Sequence, residues 1–584
     1  MAIETMITDH LDLWTSAVRP KSSAGRGSNS KLELTGIKKL RELILELAVR
    51  GKLVPQDSND EPASVLLERI AAKKAQLIKS KRIKNTKNLP DISEDELYCE
   101  LPNGWMWARL NDLGDWGAGA TPTRGNSAFY GGEIPWLKSG ELNSDYIFES
   151  EETVTELALS KSSLRYNSIG DVLVAMYGAT IGKTSILGIK ATTNQAVCAC
   201  TPFSGLLNTY LLSLLKAYRP RLVGMGAGGA QPNISREKII STVIALPPTN
   251  EQQRIVNKIE ELMALCDQLE QQSEAQLAAH QTLVESLLAT LTDSGDAVEL
   301  AQNWVRLTSH FDTLFTTEAS IDALKQSILQ LAVMGKLVPQ DPSDEPASAL
   351  LARIAAEKAR LIKEGKFKKN KALPEISDEE KLFELPEGWE WCRFDGIINQ
   401  EYPITYGVLV PGDSEERGVP FVRIGDIAID NPSLLPEKTI SKLVDAKYER
   451  TRLNGGEILM AVVGSIGKLG VVPESWKGAN IARALCRIVP VADVSKDFIL
   501  LLLQSEFMQN SFKGDARTLA QPTLNIGLIK KSITPVPPLI AQHRIVAKVD
   551  ELMSLCDQLK ARLQTSQQTQ LALAETLVEQ GLNG

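Results

Sequence analysis

Gly178-Ala-Thr-Ile-Gly182-Lys183-Thr184 makes the strongest claim to chemistry in the chain. Glycines followed by Lys-Thr can cradle phosphates with main-chain N–H groups and hold Mg²⁺ through the hydroxyl. A phosphate loop separates its glycines by four residues, and here there are three. A related stretch, Gly464-Ser-Ile-Gly467-Lys468-Leu469, lacks the hydroxyl after its lysine. Two readings therefore stand ahead of a nucleotide site: a structural glycine turn between strands, and a turn presenting Lys183 and Lys468 to a DNA backbone.

Other catalytic patterns are missing. The sequence holds no Asn/Asp-Pro-Pro-aromatic motif of an adenine methyltransferase, no glycine-rich cofactor loop and no Asp…Glu-x-Lys cluster of a restriction nuclease. Its Pro-Pro pairs, Pro247-Pro248 and Pro537-Pro538, lead into helical patterns instead. Four histidines are too few to favour a metal or histidine-based hydrolase site. Cys198 and Cys200 alternate on a predicted strand, which puts one of them in the core, and Cys266 and Cys556 occupy apolar helix positions. No catalytic, cofactor or metal site is expected in this chain.

A different chemistry is better represented, that of hydrogen bonding to base edges and phosphates. One block offers Thr121-Pro-Thr123-Arg124, Tyr130, Ile134-Pro-Trp136-Leu-Lys138-Ser139, Lys183, Asn194-Gln195 and Gln231-Pro-Asn233. A second offers Tyr406, Val419-Pro-Phe-Val-Arg423, Lys468, Asn480, Arg483 and Gln521-Pro-Thr-Leu-Asn525. Each residue taken singly is better suited to structural duty. The set gains weight because it recurs at offsets of about 285–290 residues. The basic runs Lys79–Lys87 and Lys363–Lys371 read as solvated helix ends or as contacts to a partner or DNA.

The elements that position these residues are written twice. Leu40 to Arg109 aligns without a gap on Leu324 to Arg393, with about 43 identities in 70 positions, including Gly51-Lys-Leu-Val-Pro-Gln-Asp57 and Gly335-Lys-Leu-Val-Pro-Gln-Asp341. A later element repeats as well: Arg254-Ile-Val, Lys258, Glu261-Leu-Met and Leu265-Cys-Asp-Gln-Leu269 return as Arg544-Ile-Val, Lys548, Glu551-Leu-Met and Leu555-Cys-Asp-Gln-Leu559. Leu66, Leu67, Ile70, Leu77 and Ile78 have the spacing of an amphipathic helix. Ile255, Ile259, Leu262, Cys266 and Leu269 step 4-3-4-3 in a heptad seam that Ser273, Gln276 and His280 interrupt before Leu283 and Leu287 resume it. Ile545, Val549, Leu552, Cys556, Leu559 and Leu563 run likewise into Ser566 and Gln570, then Leu573 and Leu577. Thr249 and Gln252 predict a capping box at the first long helix.

Between the repeats, strands are predicted at Gly170–Met176, Gly456–Val462, Val243–Leu246 and Ile533–Val536, and short helices at Tyr210–Ala217 and Phe498–Gln504. The expected fold is mixed α/β: two α/β domains separated by long helices that form an intramolecular antiparallel coiled coil, with pseudo-two-fold internal duplication. Its parts are a helical frame at 1–104 with a low-complexity linker at 21–30, a recognition block at 105–248, a long helix at 249–292, a second frame at 293–387, a second block at 388–537 and a final helix at 538–584.

Composition bounds the rest. Length 584, 43% hydrophobic and 23% charged residues suit about four folding units of ordinary globular character. The start of the chain lacks the basic region of a secretory signal, no apolar run reaches a membrane span, and seven cysteines suit a reducing cytoplasm, so a soluble cytoplasmic protein is expected. The net charge of −8 is uneven: 106–247 carries 12 basic and 11 acidic residues, 388–536 carries 17 of each, and the frames hold the deficit. A chain of this charge would need a basic partner to help hold phosphates.

Duplicated frames, two divergent blocks bearing Ile/Val-Pro-aromatic-x-basic and Gly-x-x-Gly-Lys landmarks, and Leu246-Pro-Pro-Thr-Asn-Glu-Gln-Gln-Arg-Ile-Val256 together resemble the specificity subunit of a Type I restriction-modification system. The likeness spans nearly the whole chain, with one departure at Val536-Pro-Pro-Leu-Ile-Ala-Gln-His-Arg544. It implies a non-catalytic subunit whose two target recognition domains each read half of a split, non-palindromic DNA site. Modification subunits would supply S-adenosylmethionine chemistry on adenine, and a motor subunit ATP- and Mg²⁺-dependent translocation and cleavage. The rival readings are a coiled-coil adaptor with two ligand domains and no DNA role, and a self-sufficient methyltransferase.

Overall fold

The computed structural model describes residues 3–21, 32–84, 89–226, 232–295, 297–366, 373–430, 432, 435–515 and 523–583. Most of the linker at 21–30 and the ends of both basic runs fall outside these residues. Contacts divide the chain into two units, one of residues 1–276 and 566–584, the other of residues 277–565.

In each unit the frame is built on a glycine turn. Gly51 and Gly335 end the helices Thr35–Val49 and Glu318–Val333 with φ of 67° and 74°, the left-handed region open to glycine. A Cβ there would stand 2.4 Å from Pro102 or 2.5 Å from Pro386. Gln56 then donates to the Gly51 carbonyl at 3.0 Å and Gln340 to that of Gly335 at 2.8 Å, while Trp105 and Trp389 donate to the same glutamines. The Gly-Lys-Leu-Val-Pro-Gln-Asp repeat is therefore a turn that seats a tryptophan. The helices Ala63–Lys79 and Ala347–Lys363 follow, burying Leu66 and Ile70 or Leu350 and Ile354.

Each variable block is entered and left through one antiparallel strand pair. Met106–Arg109 pairs with Val243–Leu246, and Glu390–Arg393 with Ile533–Val536. Inside the first block the strand order is Gly114–Ala118, Val197–Pro202, Val172–Ala175, Thr184–Leu187, Tyr146–Ile147, with a smaller sheet of Thr192–Thr193, Tyr130–Leu137 and Thr153–Val154. The second block keeps Leu469–Val471, Ile458–Ala461 and Leu485–Ile488, and a smaller sheet of Thr439–Ile440, Val419–Val422 and Asn480–Ile481. The mixed α/β class and the strand and helix positions expected above hold.

The helix Thr249–Thr292 begins in the first unit and ends in the second, and Leu539–Asn583 begins in the second and ends in the first. In the first unit Arg41 bridges Asp267 and Glu270 of one helix, and Lys39 meets Glu575 of the other. In the second, Val284, Leu288 and Leu291 share a core with Ile545, Val549 and Cys556. The buried stripe departs from the expected seam. Leu283 and Leu573 are exposed, and Val284, Leu571 and Ala574 are buried instead. The stripe also runs through polar side chains, with Ser273 buried and His280 hydrogen-bonded to the Thr313 carbonyl.

The capping box is corrected too. Thr249 donates to the Gly205 carbonyl, and Gln252, fully buried, accepts from the Leu207 N–H at 2.9 Å and donates to the Pro247 carbonyl at 3.2 Å. Gln542 repeats this with Ser495 and Pro537. These glutamines tie each long helix to the loop before a buried helix of its block. Among the described residues no helix is long and apolar enough to cross a membrane.

Two expectations follow. Gln252→Leu strands the Leu207 N–H and should destabilise the first unit by about 1–3 kcal/mol in urea unfolding followed by tryptophan fluorescence. The exposed neighbour Gln253→Leu should change little, and equal losses in both variants would refute the clamp. The Arg109–Glu96 and Arg393–Glu380 pairs give a pH test: hydrogen bonds from the arginines hold both carboxyls at about 2. The folded value lies below the ordinary 4.5, so this stabilisation is complete above about pH 4.5 and is lost as pH falls towards 2. The double variant Glu96→Gln, Glu380→Gln should show a shallower acid limb in a pH series of urea midpoints.

Candidate nucleic-acid interface

In the first unit, main-chain hydrogen bonds gather five segments at one end of the larger sheet. Gly119 and Ala120 donate to Val197 and Thr193, and Asn194 donates to Leu137. Met176 donates to Ala196, Gly178 to Pro232, and Ile234 to Met176. Gly119 is required here, because a Cβ would stand 2.2 Å from the Thr193 carbonyl oxygen. Segments 119–124, 136–138, 176–183, 193–196 and 232–234 are thus tied together by main-chain hydrogen bonds.

Their side chains form two groups. Arg124 lies over the rings of Tyr130 and Trp136, 4.9 and 4.8 Å from their centroids, and pairs with Glu152 at 2.7 Å. Lys138 reaches Glu152 at 3.0 Å and Glu151 at 3.1 Å. Hydrogen bonds from Arg124 and then Lys138 hold the Glu152 carboxyl below its usual range. Tyr130 donates to the Pro122 carbonyl at 2.6 Å, and the Thr121 hydroxyl meets Gln195. Thr123, Arg124 and Gln195 are exposed. In the second group Lys183 donates to Asn143 at 2.6 Å, and exposed Asn233 bridges to Tyr177.

The glycine turns are hairpin turns. Ala175 donates to the Lys183 carbonyl and Gly182 to that of Ala175, and Ala461, Lys468 and Gly467 repeat the pattern. Gly178, Gly182, Gly464 and Gly467 take φ between 60° and 82°. Several of the N–H groups a phosphate would need are already spent, Gly178 on Pro232, Ile181 on Gly178 and Lys183 on Thr180. These N–H groups serve the hairpin turn, which presents its lysine.

The second unit repeats the scaffold. Val408 donates to Ile481, Val462 to Ala484 and Leu524 to Val462, and a Cβ on Gly407 would stand 2.0 Å from the Ile481 oxygen. Lys468 donates to the Ile424 carbonyl at 2.8 Å, and half-exposed Arg423 lies 3.6 Å from Asp426. Arg483 is exposed, and among the described residues its side chain has no partner.

Several expected contact residues are engaged internally. Trp136 is buried and donates to the Ala120 carbonyl. Asn480 is fully buried, bonded to Thr451, Asp445 and Tyr448. The Tyr406 hydroxyl lies between Leu524 and Ile526, and Asn525 caps the helix Ile526–Lys531. Asn194 spends its side-chain oxygen on the Ala196 N–H. Gln231 and Gln521 lie outside the described residues. Glu152 was missed by sequence reasoning, since an acid in the Glu149–Glu152 run carries no local signal. So were Leu409 and Val410, exposed at 54% and 69%, whose place becomes visible only through the backbone pattern.

Cys198 and Cys200 stand two residues apart on the strand Val197–Pro202 and so share one face, which is covered: both are buried rather than one, and burial raises both thiols, Cys198 to about 12. Among the described residues no cluster of His, Cys, Asp or Glu could hold a metal ion.

Comparison with known proteins bears on the whole chain. The model of the Type I restriction modification DNA specificity domain matches twice, at residues 102–279 and 386–566. The chain is 42% identical over 603 residues to the Type I restriction enzyme EcoAI specificity subunit of Escherichia coli, and 42% over 605 residues to the EcoEI specificity subunit, covering all of each chain. The EcoBI specificity subunit is 30% identical over 47% of this chain and 55% of its own. With two matching domains and full-length relatives, the chain belongs to the Type I restriction enzyme specificity subunits.

Proposed function

We propose that this chain is the non-catalytic DNA-reading subunit of a Type I restriction-modification complex. Blocks 105–248 and 388–537 act as two recognition domains, each reading one half of a split, non-palindromic site. Modification subunits bring S-adenosylmethionine and methylate adenine, and a motor subunit brings ATP-dependent restriction. A base methylated in this way leaves the duplex stack, so the reading domains clamp DNA while a partner performs the chemistry.

The observation that carries this reading is one scaffold bearing two sets of side chains. The same backbone bonds place 119–124 beside 193–196 and 407–411 beside 481–484, while Thr121, Thr123, Arg124, Gln195 and Asn233 find Leu409, Val410 and Arg483 as their counterparts. Unequal readers on equal supports suit an asymmetric target. Lys138, Lys183, Arg423 and Lys468 are the phosphate candidates. The coiled-coil adaptor has no observation in its favour.

Exchanging residues 106–247 for the corresponding block of a related subunit should change one half of the methylated motif and leave the other intact, as read by long-read mapping of modified adenines. Simultaneous change of both halves would reject two independent readers. Lys183→Ala and Lys468→Ala should each lower the salt slope of binding by about one phosphate with the motif unchanged. A changed motif would make these lysines base readers.

A further inference from the structure

The two reading loops can be superposed by their hydrogen bonds, although their sequences do not align. Ala120 donates to Thr193, and Val408 donates to Ile481; Gly119 and Gly407, one residue earlier, each lie against that same partner carbonyl. Thr121 and Leu409 are therefore equivalent, as are Pro122 and Val410. From there the loops differ in chemistry: Leu409 and Val410 stand at the equivalent place itself, and Arg124 three residues beyond Thr121.

In the first unit the loop leads to Arg124. Its guanidinium is fixed from below by two aromatic faces and from the side by Glu152, yet its side chain is 53% exposed. A guanidinium has five N–H donors. Only the nitrogen on Glu152 has a partner among the described residues, so donors remain for a planar ligand with two acceptors. In the second unit the loop presents Leu409 and Val410, apolar side chains 54% and 69% exposed on a surface otherwise held by main-chain bonds. Two adjacent exposed apolar residues at a base-reading position suit the one apolar group on a base-pair edge, the C5-methyl of thymine. Arginine suits the paired acceptors of guanine.

We propose that Arg124 reads a guanine in one half-site and that Leu409 with Val410 reads a thymine methyl in the other. This rests on the DNA-reading function above and gives it a chemical content for each unit. Glu152 acts as a positioning residue, holding Arg124 over its aromatic seat.

The test uses the full complex with its modification partner. Methylation mapping of the wild type should return a split motif with a specified guanine in one half and a specified A·T pair in the other. Arg124→Ala should relax that guanine by about 5- to 140-fold while the other half stays intact, which also reports that the variant is folded. Arg124→Lys keeps the charge without the fork and should relax the same position. Replacing the specified thymine by deoxyuridine removes only the methyl, and should weaken binding about fourfold for the wild type and not at all for Leu409→Ala, Val410→Ala. An unchanged guanine preference, a second half-site without thymine, or deoxyuridine bound as tightly as thymine would each overturn the proposal while leaving a split motif in place. Loss of complex assembly in the Leu409, Val410 variant, with no deoxyuridine effect, would overturn it in favour of a protein contact. A motif without two halves would instead sink the DNA-reading function on which it stands.

Discussion

Everything variable in this chain hangs from two short main-chain ladders. Met106–Arg109 with Val243–Leu246, and Glu390–Arg393 with Ile533–Val536, bring the ends of each block together across about 140 residues of intervening chain. The bonds are N–H to C=O, so they ask almost nothing of the side chains between them. Arg109 and Arg393 close the ladders, pairing with Glu96 and Glu380 and donating to the Ser241 and Lys531 carbonyls, the last of the helices just before the far strands. With entry and exit fixed, the block can change its surface without disturbing the helices it hangs from.

The same economy governs the reading surface. Gly119 and Gly407 let the loop backbone approach a neighbouring carbonyl more closely than any side chain permits, and the loops are then pinned by peptide groups. The positions that face outward are released from structural duty. Threonine and arginine can stand there in one unit, leucine and valine in the other, on nearly the same spatial frame. A base is discriminated by hydrogen bonds or methyl contacts worth a few kcal/mol, which this rigidity makes available because little is spent on ordering the loop.

How much of this was legible in the sequence depends on the range of the deciding contact. The duplication, the strands beginning after Gly170 and Gly456, and the long helices follow from local pattern and self-similarity, and the structure agrees. Leu283 and Leu573 misled because seven-residue spacing was carried through polar breaks, and the continuing stripe picks Val284 and Leu571 instead. The capping box at Thr249 and Gln252 failed for a similar reason: the glutamine's partner, Leu207, is 45 residues away. Among contact residues, Trp136 and Asn480 look like donors on paper and are buried in the fold. Leu409 and Val410 look like core and are exposed. Residue type alone cannot separate these cases, because the partners that engage the Asn480 side chain, Asp445, Tyr448 and Thr451, are 29 to 35 residues away.

The internal comparison also shows where the two copies have been free to drift. Contacts that join a frame to its own long helix repeat closely: Arg254 pairs with Asp60 at 2.6 Å and Arg544 with Asp344 at 2.5 Å. One contact that joins a frame to its variable block does not. In the first unit Arg221 pairs with Glu46 and lies 4.0 Å over Tyr98 and 4.5 Å over Tyr218. At the matching frame positions the second unit has Gln330 and Leu382, and an aromatic set of Phe383, Trp391 and Phe507 takes over. Burial of Arg221 needs a carboxylate in the frame; a phenylalanine at 507 needs rings and no charge. The frame residue at this place is thus matched to its block, and a swapped block would carry its own requirement into the frame at 46 or 330. The division between constant scaffold and variable reader therefore runs inside the frame, along the face that touches the block, rather than at the ladder where the sequence identity ends.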